Sequence, residues 1–209
     1  MQSRIFGIIA LVPALLALGA CSSEPPPAPK AEVKKEPEKK AGPMSGKDAY
    51  WEMYKPAREW STDIQVLSLK SEDVPGQTVA DGKAAAWTAV FVSPSKMEMR
   101  TITWALAPFG EYRKGMNAPA AVKWAGPTTK AKPFSMSEVT LDSDAAQKAA
   151  AEDPQGSGWL KAHPGKPLSF YLGAESRFPA PVWVVAWGTA KDADRYSKYL
   201  NAATGAGVK

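Results

Sequence analysis

The sequence predicts an α+β fold: antiparallel sheets of hairpins with helices packed on one face, arranged as two related halves. Two helix-patterned stretches are each followed by runs of β-branched and aromatic residues punctuated by Pro and Gly. Trp87 and Phe91 lie four apart in one such run, on one face of a strand. Trp183 and Trp187 repeat that spacing 96 residues later. Hydrophobic residues make up 44% of the 209, enough for a buried core.

The first half, 47–140, opens with a helix over 47–60. Tyr50, Trp51, Tyr54, Ala57 and Trp60 fall at helical spacing, and Pro56 is expected to bend or divide it. A short strand follows over 64–69. The stretch 74–83 reads as a loop, with Pro75, Gly76 and Asp81-Gly82. A strong strand over 86–92 is stopped by Ser93-Pro94, and another over 97–106 is stopped by Pro108. The remainder, 107–140, is a connecting segment with one strand expected at 135–141; Trp124 and Phe134 must be buried within it.

The second half, 141–209, begins where Asp142 or Ser143 can cap a helix carrying Ala145, Ala146, Ala149 and Ala150. Pro154 and Gly156 interrupt that helix, placing Trp159-Leu160 on a following turn. Strands are expected over 168–172, 182–187 and 194–200.

Ahead of both halves lies an address. Arg4, an apolar run from Ile5 to Leu18, and small residues before a cysteine make a secretory signal over 1–20. Leu18-Gly19-Ala20-Cys21 resembles the lipobox of bacterial lipoproteins. That resemblance implies cleavage after Ala20 and acylation of Cys21, the only cysteine of the chain. The partner so implied is the lipid bilayer, held through acyl chains instead of a spanning helix. Ser22, by the same resemblance, implies the outer membrane facing the periplasm. Residues 22–46 contain six Pro, five Lys and four Glu. Such a segment buries too little to offset its ordering and reads as a disordered, extended tether. At about 3.1 Å per residue it reaches up to roughly 75 Å.

Tyr199-Leu200-Asn201-Ala202-Ala203-Thr204-Gly205 and Leu141-Asp142-Ser143-Asp144-Ala145-Ala146 resemble the end and the helix opening of a PepSY-type domain. Asn201 stands where that family usually has Asp. The resemblance implies a small α+β binding module outside the membrane, without catalytic residues.

The chemistry of the folded part is sparse. One Cys excludes an internal disulfide and any multi-thiolate metal site, and one His excludes His clusters. His163, in Ala-His-Pro-Gly, reads as a solvated loop residue. Asp142 and Asp144 lack the later ligands of a calcium loop. No cofactor or metal is implied. Basic residues are not clustered with aromatics, and an exported chain meets no nucleic acid. Of eight Trp, the strand residues Trp87, Trp183 and Trp187 belong to a core, whereas Trp51 and Trp159 are the candidates for a partner-binding surface. The sequence therefore reads as a membrane-anchored envelope lipoprotein carrying a non-enzymatic binding module for a protein or cell-wall partner. The alternatives are a cell-wall hydrolase using carboxylates, with Asp48 beside Trp51 and Asp153 beside Trp159 as first candidates, or a subunit of an envelope assembly or export machine.

Overall fold

The computed structural model describes residues 42–209. The signal segment, Cys21 and the tether up to residue 41 lie outside the described residues. The chain enters the fold earlier than its composition suggests. Met44–Ser45 form β1, which pairs with β3, Lys83–Ala84.

Helix α1, Gly46–Trp60, starts on Ser45, whose Oγ accepts from the Asp48 N–H. Ala49, Met53 and Ala57, one side chain per turn, and Tyr50 beside Ala49 are its buried stripe. The helix runs through Pro56 undivided and ends where Ser61 N–H donates to Ala57 O. Strand β2, Gln65–Ser71, carries a bulge between Val66 and Ser68. The extra residue returns both Val66 and Leu69 to the buried side, though their spacing of three would place them on opposite faces of a regular strand. β4, Ala86–Ser93, and β5, Glu98–Ala105, pair along their whole length.

The connecting segment departs from expectation. No strand occupies 135–141. Ser135 and Glu138 instead form a capping box around one 3-10 turn, Met136–Glu138. Strands β6, Gly115–Asn117, and β7, Val122–Lys123, add to opposite ends of β5. Trp124 and Phe134 are buried, as their size requires.

Asp142 caps α2, Ser143–Glu152. Pro154 then begins a second helix rather than only ending the first: α3 is Pro154–Ala162, with Asp153 as its cap. Proline lacks the N–H that a first helical residue leaves unpaired anyway, so it suits that position. Trp159 therefore sits on a helix. The chain closes with β8, Leu168–Gly173, β9, Val182–Trp187, and β10, Tyr196–Asn201.

The main sheet has the order β10-β9-β8-β2-β4-β5-β6. The first half is thus α1 followed by the meander β2-β4-β5, the second is α2 and α3 followed by the meander β8-β9-β10, and the first strands, β2 and β8, pair antiparallel at the centre. The helices cover one face, where Trp87, Phe91, Ile102, Phe170, Trp183 and Leu200 form a single core with α1 and α2. Across the other face runs the row Tyr199, Val184, Tyr171, Lys70, Thr88, Thr103 and Asn117.

The two Trp strands have equivalent anchors. Trp87 Nε1 donates to Met44 O at 2.9 Å, and Trp183 Nε1 donates to Leu141 O at 3.2 Å. Met44 and Leu141 each precede the cap of their half's helix. The caps meet: Ser45 Oγ donates to Asp142 Oδ2 at 2.6 Å, Lys47 N–H to Asp142 Oδ1 at 2.8 Å, and Gly46 N–H to Ser143 Oγ at 2.7 Å.

A Cβ on Gly46 would lie 2.8 Å from the Trp183 ring and 3.3 Å from Trp87. Gly46→Ala should therefore cost about 1–3 kcal/mol by overpacking, despite alanine's better helix propensity. Chain beginning at Lys47 should be less stable than chain beginning at Gly42 by at least the ~1 kcal/mol of a lost cap. Urea unfolding of the three proteins measures both effects.

Candidate partner-binding surface

Trp51 lies beside the buried stripe of α1 and is 52% exposed. Its neighbours fix it. Tyr50, buried at 4% exposure, meets its ring edge-on at 4.9 Å and 70°, and Tyr54 does so at 5.3 Å and 74°. Tyr50 in turn packs on Phe91 of β4 at 5.8 Å. The exposed indole thus stands on a stack of rings rooted in the core. Burial, and secondarily the neighbouring Tyr54, push the Tyr50 hydroxyl well above the ordinary phenol range, so it stays neutral. Beside these rings runs a groove of about 180 Å³, floored by Ile64–Val66 and walled on its far side by Phe134, Ser135, Met136 and Ser137. Phe134 is held there by paired backbone hydrogen bonds with Val66, of 2.8 and 3.0 Å.

Trp159 has a different role. It is half-buried and stacks on His163 at 4.4 Å and on Tyr196 at 5.8 Å. Tyr196 continues to Trp187 of β9. The ring is a layer joining α3 to the core. His163 is accordingly no solvated loop residue: it caps the C-terminus of α3, with Nδ1 3.0 Å from Trp159 O and Nε2 4.0 Å from Asp194. No aromatic contact joins Trp51 to Trp159, and the two stand on different helices.

The acids near these rings are engaged. Asp153 accepts from Lys198 Nζ at 2.5 Å, and that hydrogen bond is the main reason its carboxyl is held below the ordinary range. Asp63 is lowered by the Ser93 hydroxyl, the Ser95 N–H and the Ser61 hydroxyl, and Asp192 by the Thr189 N–H and then Lys166. A carboxyl held ionised is a poor proton donor for glycosidic cleavage. Asp48 lies exposed in the first turn of α1, on a different helix from Asp153. Three larger hollows lie elsewhere. One of about 720 Å³ is lined by Thr101, Thr103, Tyr112, Arg113 and Asn117, one of about 640 Å³ by Thr129, Lys130, Glu175, Ser176 and Arg177, and one of about 620 Å³ by Glu72, Lys166, Ser169, Thr189 and Arg195. Among the described residues, no three His, Cys, Asp or Glu side chains converge as for a metal. No described helix is long and apolar enough to cross a membrane.

Sequence reading singled out Trp51 but not its supports. Tyr54 carried a signal, lying three residues from Trp51 on the same helix; Tyr50, at a spacing of one, carried none. The far wall carried none, because 134–137 reaches α1 only through tertiary pairing with β2. No family model matches the chain, and neither does any curated protein or solved structure.

Trp159→Ala should destabilise the fold by about 1–3 kcal/mol, whereas Trp51→Ala should change stability by about 0.5 kcal/mol or less. Denaturant melts of the two variants test the contrast. Because the Asp153 carboxyl is lowered in the folded state, its contribution is present above the ordinary value of about 3.9 and fades as pH falls through the folded-state value. The stability gap between wild type and Asp153→Asn should therefore narrow below about pH 4.

Proposed function

We propose that the chain is a lipid-anchored envelope protein whose folded part is a non-enzymatic binding module for a protein or cell-wall partner. The observation that carries the binding reading is Trp51, half-exposed yet fixed by Tyr50 and Tyr54 on a rigid helix. Tryptophan in such a setting supplies a large contact area at little entropic cost and dominates many interfaces. Asp153, one of the two acids a carboxylate hydrolase would draw on here, is committed to Lys198. The PepSY-like stretch supports the same reading on chemical grounds. Asn201 Oδ1 accepts from Ala203 and Thr204 N–H at 2.9 and 3.1 Å, a turn that Asp would make equally well. The anchor rests on Leu18-Gly19-Ala20-Cys21, and Ser22 directs the protein to the outer membrane, facing the periplasm.

Two outcomes are expected. Cys21→Ala should leave an unprocessed chain that takes up no radiolabelled palmitate; label on that variant would remove the anchor. Trp51→Ala should weaken the partner recovered by crosslinking in intact cells by about 2 kcal/mol, roughly thirtyfold, with the melting curve unchanged. Undiminished recovery would place the binding surface elsewhere.

A further inference from the structure

The central seam of the sheet has two comparable ends. β2 and β8 pair only over residues 68–70 and 171–173, and beyond that short ladder their pairing stops at both ends. The two strands are antiparallel and each opens the meander of its half, so exchanging the halves exchanges the ends of the seam. One end is filled by the chain itself. Val66 exchanges main-chain hydrogen bonds of 3.0 and 2.8 Å with Phe134, and Ala174, just past β8, accepts from the Lys132 N–H at 2.9 Å. Residues 132–134 therefore stand between the two strands, bridged antiparallel to each.

At the other end no described segment pairs in that way, and the hollow of about 620 Å³ opens there. Glu72 and Asp73, just past β2, line one side of it, and Leu168 and Ser169, which open β8, line the other. The Phe170 N–H points across the seam and donates to Ser71 Oγ at 2.9 Å. Successive residues of a strand direct their main-chain groups to alternate neighbours, so Leu168 turns its N–H and C=O the same way as Phe170. β2 has ended by then. The Glu72 N–H is given to Ala86 O at 3.0 Å, and no described main-chain group pairs with Leu168 on that side. An unpaired strand edge is a template for an extended peptide. The volume lies within the roughly 300–1,000 Å³ of sites that enclose a ligand, and Thr78, Ser169 and Thr189 make the lining polar. Charge is divided across it, with Glu72 and Asp73 facing Lys166 and Arg195. Glu72 is paired with Lys70 at 3.0 Å, and Lys166 reaches Asp192 at 3.6 Å. Asp73 and Arg195 enter none of the ion pairs among the described residues.

We infer that this end of the seam, lined by Glu72, Asp73, Lys166, Leu168, Ser169 and Arg195, takes an extended peptide of a protein partner as an added strand on the free edge of β8. Residues 132–134 show, at the equivalent end, that a short extended stretch fits such a gap. Main-chain hydrogen bonds to Leu168 supply affinity whatever the peptide's sequence, and the two free charges supply choice. Arg195 selects an acidic side chain and Asp73 a basic one, so the site prefers peptides carrying both signs. It is a second place of contact, independent of Trp51, and it stands or falls separately from the reading of that ring.

The test pans phage-displayed random octapeptides against the chain from Cys21 onward. Saturation with a selected synthetic peptide should slow hydrogen exchange of the Leu168 amide about tenfold and shift the Ser169, Gly188 and Thr189 amide resonances. N-methylation of every second residue of that peptide should weaken binding about tenfold, since it removes main-chain donors. Thr78→Trp, which brings a large ring into the hollow from an exposed loop, should weaken it as much with the melting curve unchanged. Arg195→Glu should weaken peptides that carry an acid about fivefold. Selection of no peptide, or of peptides that leave the Leu168 amide unprotected or tolerate N-methylation, would overturn the inference. Peptides lost with Trp51→Ala but kept with Thr78→Trp would overturn it too, while the Trp51 surface would stand.

Discussion

Two helix N-termini meet at the centre of this molecule, and that contact governs the rest of it. Each carries unpaired N–H groups and the positive end of a helix dipole, so bringing them together is unfavourable unless something negative lies between. Asp142 fills that place. One carboxylate accepts from the Ser45 hydroxyl, from the Lys47 N–H of the opposite helix and from the Ser143 N–H of its own. Ser143 completes the joint by accepting from Gly46 N–H and donating to Gly82 O at 2.5 Å. Two tryptophans lock the same point from beneath. Their indoles donate to the carbonyls just ahead of the caps while their rings pack edge-to-face at 6.5 Å. Gly46 is needed because no side chain fits between it and those rings. With both helix starts pinned, both helices lie on one face, and β2 and β8 are brought side by side.

Trp51 owes its exposure to this joint. The position of the cap sets the phase of α1, and the phase turns Ala49, Tyr50, Met53 and Ala57 inward. Trp51 is then left at the border of the buried stripe, with Tyr50 beneath it and Tyr54 beside it. The surface is rigid because its supports are core residues. A ligand meeting it orders few side chains, which is where binding free energy is commonly lost.

The strands were legible because their signals are local. The runs at 86–92 and 182–187 are too apolar and β-branched to be anything but buried strands, and Asp142 before an Ala-rich stretch is a plain helix start. What escaped depends on partners distant in sequence. The turn at Met136–Glu138 is fixed by a capping box whose signature, Ser135 with Glu138 three residues on, competes with the strand propensity around Val139. Pro154 could end one helix or open the next, and only the packing of α3 against α2 decides. Gly156 allows that packing, since a Cβ there would lie 2.2 Å from Ala150 O. The fold's true start, at Met44–Gly46, looked like tether because its three residues are bound by Lys83, Ala84, Trp87, Asp142 and Ser143, which lie from 38 to 97 residues away. Trp51 was visible as a candidate; the stacking of Trp159 on Tyr196 was not, because helix membership alone does not tell which ring stacks inward.

The repeat itself argues that the Trp51 surface is more than a packing remainder. Counted from their caps, Ala49, Tyr50, Trp51, Met53 and Tyr54 of α1 correspond to Ala146, Gln147, Lys148, Ala150 and Ala151 of α2. The second half has small residues on its helix and folds α3 against it, with Trp159 stacked on Tyr196 and His163. The first half has large aromatic residues at the equivalent positions and no corresponding helix. If both helices had only to be covered, either solution would serve both halves. Instead Lys148, the counterpart of Trp51, puts an ordinary solvated charge where the first half leaves an indole in water. Exposing that ring forgoes up to about 1.5–3 kcal/mol of burial, by the scale of other large apolar side chains. The fold needs no such exposure, and an occupant of the groove would recover the loss.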